Sequence, residues 1–169
     1  MIKLIATDID GTLVKDGTLI INPEYMTVIS KLIDKGIIFT VCSGRQFSSE
    51  QKLFAPIKDK LMYITDGGTV VRTPDRILKT YPMSNELWKD MCRMVRDELP
   101  ACDYFAASPD LCYAEDGASP IFHRLRDSYG FEMREIDDLT TLENDDIIKF
   151  TVYHPDSCEE LCSPHFTLA

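Results

Sequence analysis

The chain has 169 residues, of which 44% are hydrophobic and 27% charged, a composition that disfavours disordered, collagen-like and coiled-coil proteins. It carries 18 lysines and arginines against 28 aspartates and glutamates, and the net charge of −10 argues against nucleic acid or an anionic membrane as the main partner. No apolar run approaches the roughly 18 residues that span a bilayer. The N-terminus does not have the form of a signal peptide, so we expect a cytoplasmic protein whose six cysteines are free thiols.

The first 80 residues alternate between strand and helix patterns. An apolar run over residues 2–7 predicts a strand buried on both faces. Asn22 and Pro23 predict the start of a helix that ends at Gly36. Further strands are expected at 37–42, 61–65, 69–72 and 76–80, a helix at 46–54, and a hairpin turn at Asp16-Gly17 within residues 12–21. This alternation predicts an α/β domain with a parallel sheet.

The pattern changes after Pro82. Helices are expected from Ser84 to near Pro100, from Ser119 to about Tyr129, and after Pro155-Asp156. Strands are expected at 103–107, 111–114, 131–136 and 147–154. These elements predict an α+β unit with antiparallel pairing, and Trp88, on an apolar helical stripe, is assigned to its core. We therefore divide the chain into domains at 1–82 and 83–169.

The strongest chemical signal is Asp8-Ile-Asp10-Gly11-Thr12, directly after the first predicted strand. In open α/β sheets, ligands bind outside the carboxyl ends of the strands. Two carboxylates at this position can face one cavity, one as a nucleophile or metal ligand and the other as a proton donor and acceptor. Gly11 permits a tight turn whose N–H groups point at an anion, and we count Thr12 with it as phosphate-binding.

A second signal, Ser43-Gly44-Arg45, follows the next predicted strand and opens a helix. A small hydroxyl, a glycine and a helix N-terminus together can bind an anion. Taken alone, this tripeptide is more typical of a simple helix cap. Because it falls at the end of the neighbouring strand, we predict that it shares a cavity with Asp8 and Asp10.

With these motifs the sequence resembles the haloacid dehalogenase superfamily of phosphatases, and within it the Cof-type subgroup, which inserts a cap after the third core strand. The resemblance rests on I-A-T-D-I-D-G-T-L, N-P-E, F-T-V-C-S-G-R and M-Y-I-T-D-G-G-T-V. It implies a Rossmann-like parallel sheet over residues 1 to about 80, with an α+β cap domain after it.

The resemblance also implies a mechanism and a cofactor, Mg²⁺. Asp8 matches the nucleophile that forms an aspartyl-phosphate, and Asp10 matches the acid/base. The Asp8 carboxylate and the Asp10 backbone carbonyl match two magnesium ligands. Ser43 matches the hydroxyl that binds the transferred phosphoryl group, helped by the Gly44 N–H, and Arg45 either contacts the substrate or braces the loop.

Asp66 stands where the subgroup commonly has asparagine. With Gly67 it is a candidate for substrate binding, and an ordinary turn acid is an equal alternative. Two further family motifs are not found: a lysine that pairs with the nucleophile, and G-D-x-x-N-D. Lys149 lies in a predicted cap strand instead.

We therefore expect a core that is incomplete at its C-terminal side, in a chain truncated within the cap. In such a chain the Asp8 strand forms an exposed sheet edge that favours self-association. Activity is expected to be much reduced, since preorganised charge contributes several kcal/mol per group to transition-state stabilisation.

Three functional interpretations remain open from the sequence. The leading one is a magnesium-dependent phosphomonoester hydrolase acting on small phosphorylated metabolites such as sugar phosphates. The second is a phosphomutase-like enzyme that shares the nucleophile. The third is a non-catalytic binding or interaction protein, similar to a response-regulator receiver.

Overall fold

A computed structural model of the chain describes residues 2–15, 18–143 and 146–166. These residues form two β-sheets, one of five strands and one of four, with helices packed against them. Within the described residues no helix is both long and apolar enough to cross a membrane.

The five-stranded sheet has its strands in chain order. Its elements are β1 (Leu4–Asp8), α1 (Pro23–Asp34), β2 (Ile38–Cys42), α2 (Phe47–Leu53), β3 (Met62–Thr65), β4 (Val70–Arg72) and β5 (Ile77–Thr80). The first three strands are parallel, and β4 and β5 continue the sheet antiparallel. Because α1 and α2 are the crossovers between the parallel strands, the carboxyl ends of β1, β2 and β3 meet at one edge of the sheet.

Helix α1 begins and ends at the predicted signals. The Asn22 side chain accepts a hydrogen bond from the Glu24 amide at 2.9 Å, and Pro23 occupies the first helical position, where its missing N–H costs nothing. Gly36 follows the helix with a φ of +78°, a left-handed conformation that glycine adopts without strain.

Strand β1 is an edge strand, and the prediction that both of its faces are buried is wrong. It pairs with β2 alone among the described strands. Leu4 is 54% exposed, and its partner in register, Ile38, is 51% exposed. This face of the two strands is therefore accessible to solvent at both residues, and their apolar composition did not ensure burial.

The four-stranded sheet has the order β8-β7-β6-β9. The second half of the chain contains α3 (Asn85–Glu98), β6 (Asp103–Ala107), β7 (Cys112–Ala114), α4 (Pro120–His123), β8 (Met133–Glu135), β9 (Lys149–Tyr153) and α5 (Cys158–Cys162). Strand β6 pairs antiparallel with β7 and β9, but β7 and β8 are parallel. Antiparallel pairing is therefore wrong for this last pair, because α4 and the π-helical turn after it return the chain in the same direction.

The predicted hairpin turn at Asp16-Gly17 lies outside the described residues. Of the described residues around it, 18–21 belong to no strand, and Asp10 forms an isolated bridge with Val14. The described part of this segment is thus a loop beside the carboxyl end of β1.

Each sheet has its own apolar core. Phe54 and Tyr63 are fully buried in the first, and Trp88, as predicted, is fully buried in the second. The sheets meet where the buried Gln46 side chain accepts from the Glu132 amide at 2.6 Å and donates to the Glu132 carbonyl at 3.3 Å. The structure confirms a Rossmann-like α/β sheet joined to an α+β unit, and the division at residue 82 stays a prediction.

Candidate active site

The two carboxylates of the first motif lie at the carboxyl end of β1. Asp8 is the last residue of that strand and pairs in register with Cys42, so Ser43 is the next residue beyond it on β2. Asp10 follows after the fully buried Ile9. The chain then turns at Gly11, whose φ of +77° favours glycine.

The backbone amides of the turn after Asp10 form hydrogen bonds within the turn. The Gly11 amide donates to the Val14 carbonyl at 2.8 Å, and the Thr12 amide donates to the Ile9 carbonyl at 3.2 Å. Both N–H groups therefore have partners within the turn, and phosphate binding by Gly11 and Thr12 stays a prediction. The Thr12 hydroxyl instead donates to Oδ2 of Asp8 at 3.1 Å and orients that carboxylate.

The loop Ser43–Arg45 has the form that an anion site needs. Oγ of Ser43 accepts from the Arg45 amide at 3.2 Å, and the Ser43 amide donates to the Ile64 carbonyl at 3.0 Å. Within the described residues no hydrogen bond uses the Gly44 amide. That amide and the Ser43 hydroxyl are thus suited to a phosphoryl oxygen.

Arg45 braces Asp10. Its Nε donates to Oδ2 of Asp10 at 2.7 Å and its Nη2 donates to Oδ1 at 2.6 Å, while Nη2 also reaches the Thr18 carbonyl at 2.9 Å. The Arg45 side chain is only 2% exposed. This bidentate pair fixes the direction of the Asp10 carboxylate, so of the two roles left open for Arg45 the geometry favours bracing.

The backbone amides of Asp66 and Gly67 form hydrogen bonds with the same loop. The Asp66 amide donates to the Arg45 carbonyl at 2.9 Å, and the Gly67 amide donates to the Ser43 carbonyl at 3.0 Å. Asp66 adopts a φ of +54°, which is uncommon for a residue other than glycine. Neither residue is among those that line the cleft described next, so their contacts support a positioning role.

A cleft of about 410 Å³ brings the two motifs together. The first sheet contributes Asp8, Asp10, Ser43, Gly44 and Arg45 to its walls. The second sheet and its connections contribute Phe105, Leu125, Tyr129, Phe131, Lys149 and Thr151. Carboxylates, a hydroxyl and an unused amide thus face one hollow, which has a largely apolar opposite wall.

Two buried carboxyls stand behind the loop. Burial raises the pKa of Glu50 well above its usual range, and the charge of Asp66 adds to this shift. Burial also raises the pKa of Asp66 to about 6, although the Lys149 ammonium and a hydrogen bond from Thr65 oppose it. The cleft therefore lies against groups whose charge is costly at neutral pH.

The donor set at Asp8 and Asp10 fits a magnesium ion. Both carboxylate oxygens of Asp10 accept from Arg45, and the Asp8 carboxylate and the Asp10 backbone carbonyl are the oxygen atoms that the family resemblance assigns to the metal. Among the described residues no group of three or more His, Cys, Asp or Glu side chains could hold a metal ion. Magnesium is commonly bound through one or two protein oxygens together with water and phosphate oxygens.

The wall from the second sheet was not predicted from the sequence. Lys149 and Thr151 lie two apart on β9 and both line the cleft. Because residues two apart on a strand share a face, the sequence places both on one face of β9. No feature of the local sequence indicates which face of the strand meets the first sheet.

Comparisons with known proteins identify the family of the chain. A family profile described as haloacid dehalogenase-like hydrolase matches residues 5–166. The 5-amino-6-(5-phospho-D-ribitylamino)uracil phosphatase YbjI of Escherichia coli strain K12 is 26% identical over 147 residues, which cover 85% of this chain and 52% of that protein. The chain thus spans about half the length of this curated relative.

Two solved structures share the fold. A crystal structure of a protein from Eubacterium rectale is 81% identical with a TM-score of 0.86, covering 98% of this chain and 62% of that one. A subclass IIB sugar phosphatase of the haloacid dehalogenase superfamily is 17% identical with a TM-score of 0.69, covering 89% of this chain and 58% of that one.

Proposed function

The chain belongs to the haloacid dehalogenase-like hydrolase family, and from this premise we propose that it hydrolyses phosphomonoesters of small metabolites. The observation that supports the proposal is the shared cleft, where Asp8, Asp10 and Ser43 converge from the ends of two adjacent strands. A receiver-like binding protein would need the aspartates but not the Ser43 loop opposite them.

In the proposed reaction, an Asp8 carboxylate oxygen attacks phosphorus and the ester P–O bond breaks. Asp10 gives a proton to the leaving oxygen, so that an alcohol and an aspartyl-phosphate result. Asp10 then takes a proton from water, whose oxygen attacks the same phosphorus, and inorganic phosphate leaves as the Asp8 carboxylate re-forms.

The surrounding residues position these groups. The Thr12 hydroxyl orients Asp8, and Arg45 orients Asp10. The Ser43 hydroxyl and the Gly44 amide would donate to the phosphoryl oxygens. A magnesium ion held by Asp8 and the Asp10 carbonyl would supply positive charge that offsets the repulsion between carboxylate and phosphate.

The substrates we propose are sugar and polyol phosphates. The Escherichia coli relative is named for a ribityl phosphate that carries a uracil ring. In this chain Phe105, Tyr129 and Phe131 line the wall opposite the carboxylates, and aromatic rings of this kind pack well against a planar ring.

The proposal extends to compartment and assembly. All six cysteines are free, as expected of a protein that works in a reducing cytoplasm. Copies of the chain would associate through the exposed edge at β1, because its outer backbone groups have no partner strand among the described elements.

The test is phosphoryl transfer with and without Mg²⁺. We expect phosphate release from sugar phosphates and the ribityl compound, a phosphoryl group trapped on the protein, and loss of both in Asp8→Asn. Turnover should stay below about 1 s⁻¹, the low end for enzymes, because the described residues offer few metal ligands. Transfer to a sugar rather than to water would favour a mutase. No trapping and no release, with Asp8→Asn indistinguishable from the parent, would refute the proposal.

A further inference from the structure

Lys149 reaches the active-site cleft from the second sheet. Its Nζ donates to the Gly44 carbonyl at 2.8 Å and lies 3.9 Å from Oδ1 of Asp66. It shares the cleft with Asp8 and Ser43. A cation from β9 therefore sits beside the loop that is suited to phosphate.

The Lys149 ammonium has more N–H donors than its hydrogen bond to Gly44 uses. It carries three N–H donors, and the Gly44 carbonyl takes one of them. The separation of 3.9 Å from Asp66 is beyond a normal hydrogen bond. The side chain is 29% exposed, so its remaining donors can turn toward a ligand in the cleft.

The charge balance of the cleft points the same way. Of the residues that line it, Arg45 and Lys149 carry positive charge. Arg45 is buried, and two of its N–H groups donate to the Asp10 carboxylate, whose negative charge balances that of the guanidinium. A phosphate brought next to Asp8 needs a cation, and Lys149 is the lining residue placed to supply it.

We propose that Lys149 binds the phosphoryl group of the substrate, so that the second sheet supplies a cation to a site built by the first. The inference rests on the proposed function. It makes phosphoryl binding depend on contact between the two sheets, because Lys149 leaves the loop if β9 moves away.

Inorganic phosphate, titrated calorimetrically in the presence of Mg²⁺, is the probe, and its readout does not depend on turnover. Lys149→Met keeps much of the side-chain length without the charge and should weaken phosphate binding by about ten- to a hundredfold, the range for a charged hydrogen bond. Lys149→Arg, which keeps a cation, should recover part of the affinity.

Lys52→Met is the matched control. Nζ of Lys52 also crosses between the sheets, donating to the Gly130 carbonyl at 2.7 Å, but Lys52 does not line the cleft. Phosphate affinity should be unchanged in this variant. If Lys52→Met and Lys149→Met weaken binding equally, both lysines act only as tethers and the proposal is overturned.

Three further outcomes separate the possibilities. Phosphate binding by Lys149→Met equal to that of the parent would overturn the inference while leaving the proposed function intact. Loss of activity on some esters and not others would show that Lys149 contacts the leaving group, which also overturns it. A parent chain that binds no phosphate and traps no phosphoryl group would refute the proposed function itself. Should Lys149→Met fail to fold by circular dichroism, Lys149→Gln is measured in its place.

Discussion

Replacing Asp66 by asparagine measures how far one buried negative charge lowers the free energy of unfolding. Oδ2 of Asp66 accepts from the Thr65 hydroxyl at 2.9 Å, a bond that an asparagine oxygen keeps, while Oδ1 is buried and accepts no hydrogen bond from the residues that the structure describes. Asparagine also tolerates the φ of +54° at this position. The substitution therefore removes the charge with little change of shape.

The expected change in the free energy of unfolding follows from the pKa of Asp66, which is raised from its ordinary 3.8 to about 6, chiefly by burial. Between these values the folded chain holds a proton that the unfolded chain has lost, so the free energy of unfolding falls as pH rises through this window. The free energy of unfolding falls by about 3 kcal/mol in total, since a shift of one pKa unit corresponds to about 1.4 kcal/mol. Asp66→Asn should thus be more stable than the parent by up to about 3 kcal/mol at pH 7.5, and by under about 1 kcal/mol at pH 4.

Urea denaturation followed by circular dichroism from pH 4 to pH 8 measures this difference. Asp75→Asn is the control, because Asp75 is an exposed turn residue and its replacement should leave the pH dependence unchanged. Glu50 adds a dependence of the same sign, and the Asp66 variant keeps the main part of it, because burial is the chief cause of the raised Glu50 pKa and the Asp66 charge only adds to it. Stability curves of parent and Asp66→Asn that run parallel over the whole range would show that burial does not control the charge of Asp66.

Two other outcomes are expected. Arg45→Lys should lower phosphate release by about ten- to a hundredfold with the fold intact, since an ammonium cannot reproduce the bidentate pair that holds Asp10; release at more than half the parent rate would contradict this. Leu4→Lys should reduce concentration-dependent association in sedimentation velocity, because it places a charge on the exposed edge strand. Ile77→Lys on β5, at the opposite edge of the sheet, should leave the association unchanged. Equal association of the parent and both variants would exclude the β1 edge as the contact.

Local chemistry made much of the fold predictable. The start of α1 is set by Asn22 and Pro23, whose capping geometry involves only neighbouring residues. The motifs at Asp8 and Ser43 could be placed together because parallel strands joined by helices bring their carboxyl ends to one edge. These inferences needed no knowledge of distant contacts.

What the sequence did not reveal depends on distant packing. The edge position of β1 agrees with the expectation, but its apolar composition also predicts two buried faces, and Leu4 and Ile38 are exposed because burial of a face requires a layer packed over it. The sequence predicts Lys149 only as a lysine of a cap strand, because strand periodicity gives the face of a residue but not the sheet that this face meets. The parallel pairing of β8 likewise follows from the path of the chain rather than from local propensity.

The loop after β2 connects these findings, because each of its three residues is held by a different part of the chain. The Ser43 carbonyl accepts from Gly67, the Gly44 carbonyl accepts from Lys149 of the second sheet, and the Arg45 side chain clasps Asp10. A shift of the second sheet must release the Gly44 carbonyl, whereas the bonds at Ser43 and Arg45 lie within the first sheet and its turns. The hydrogen bonds from Thr12 and Arg45 that orient the carboxylates therefore come from the first sheet and its turns, whereas Lys149 brings its positive charge from the second sheet.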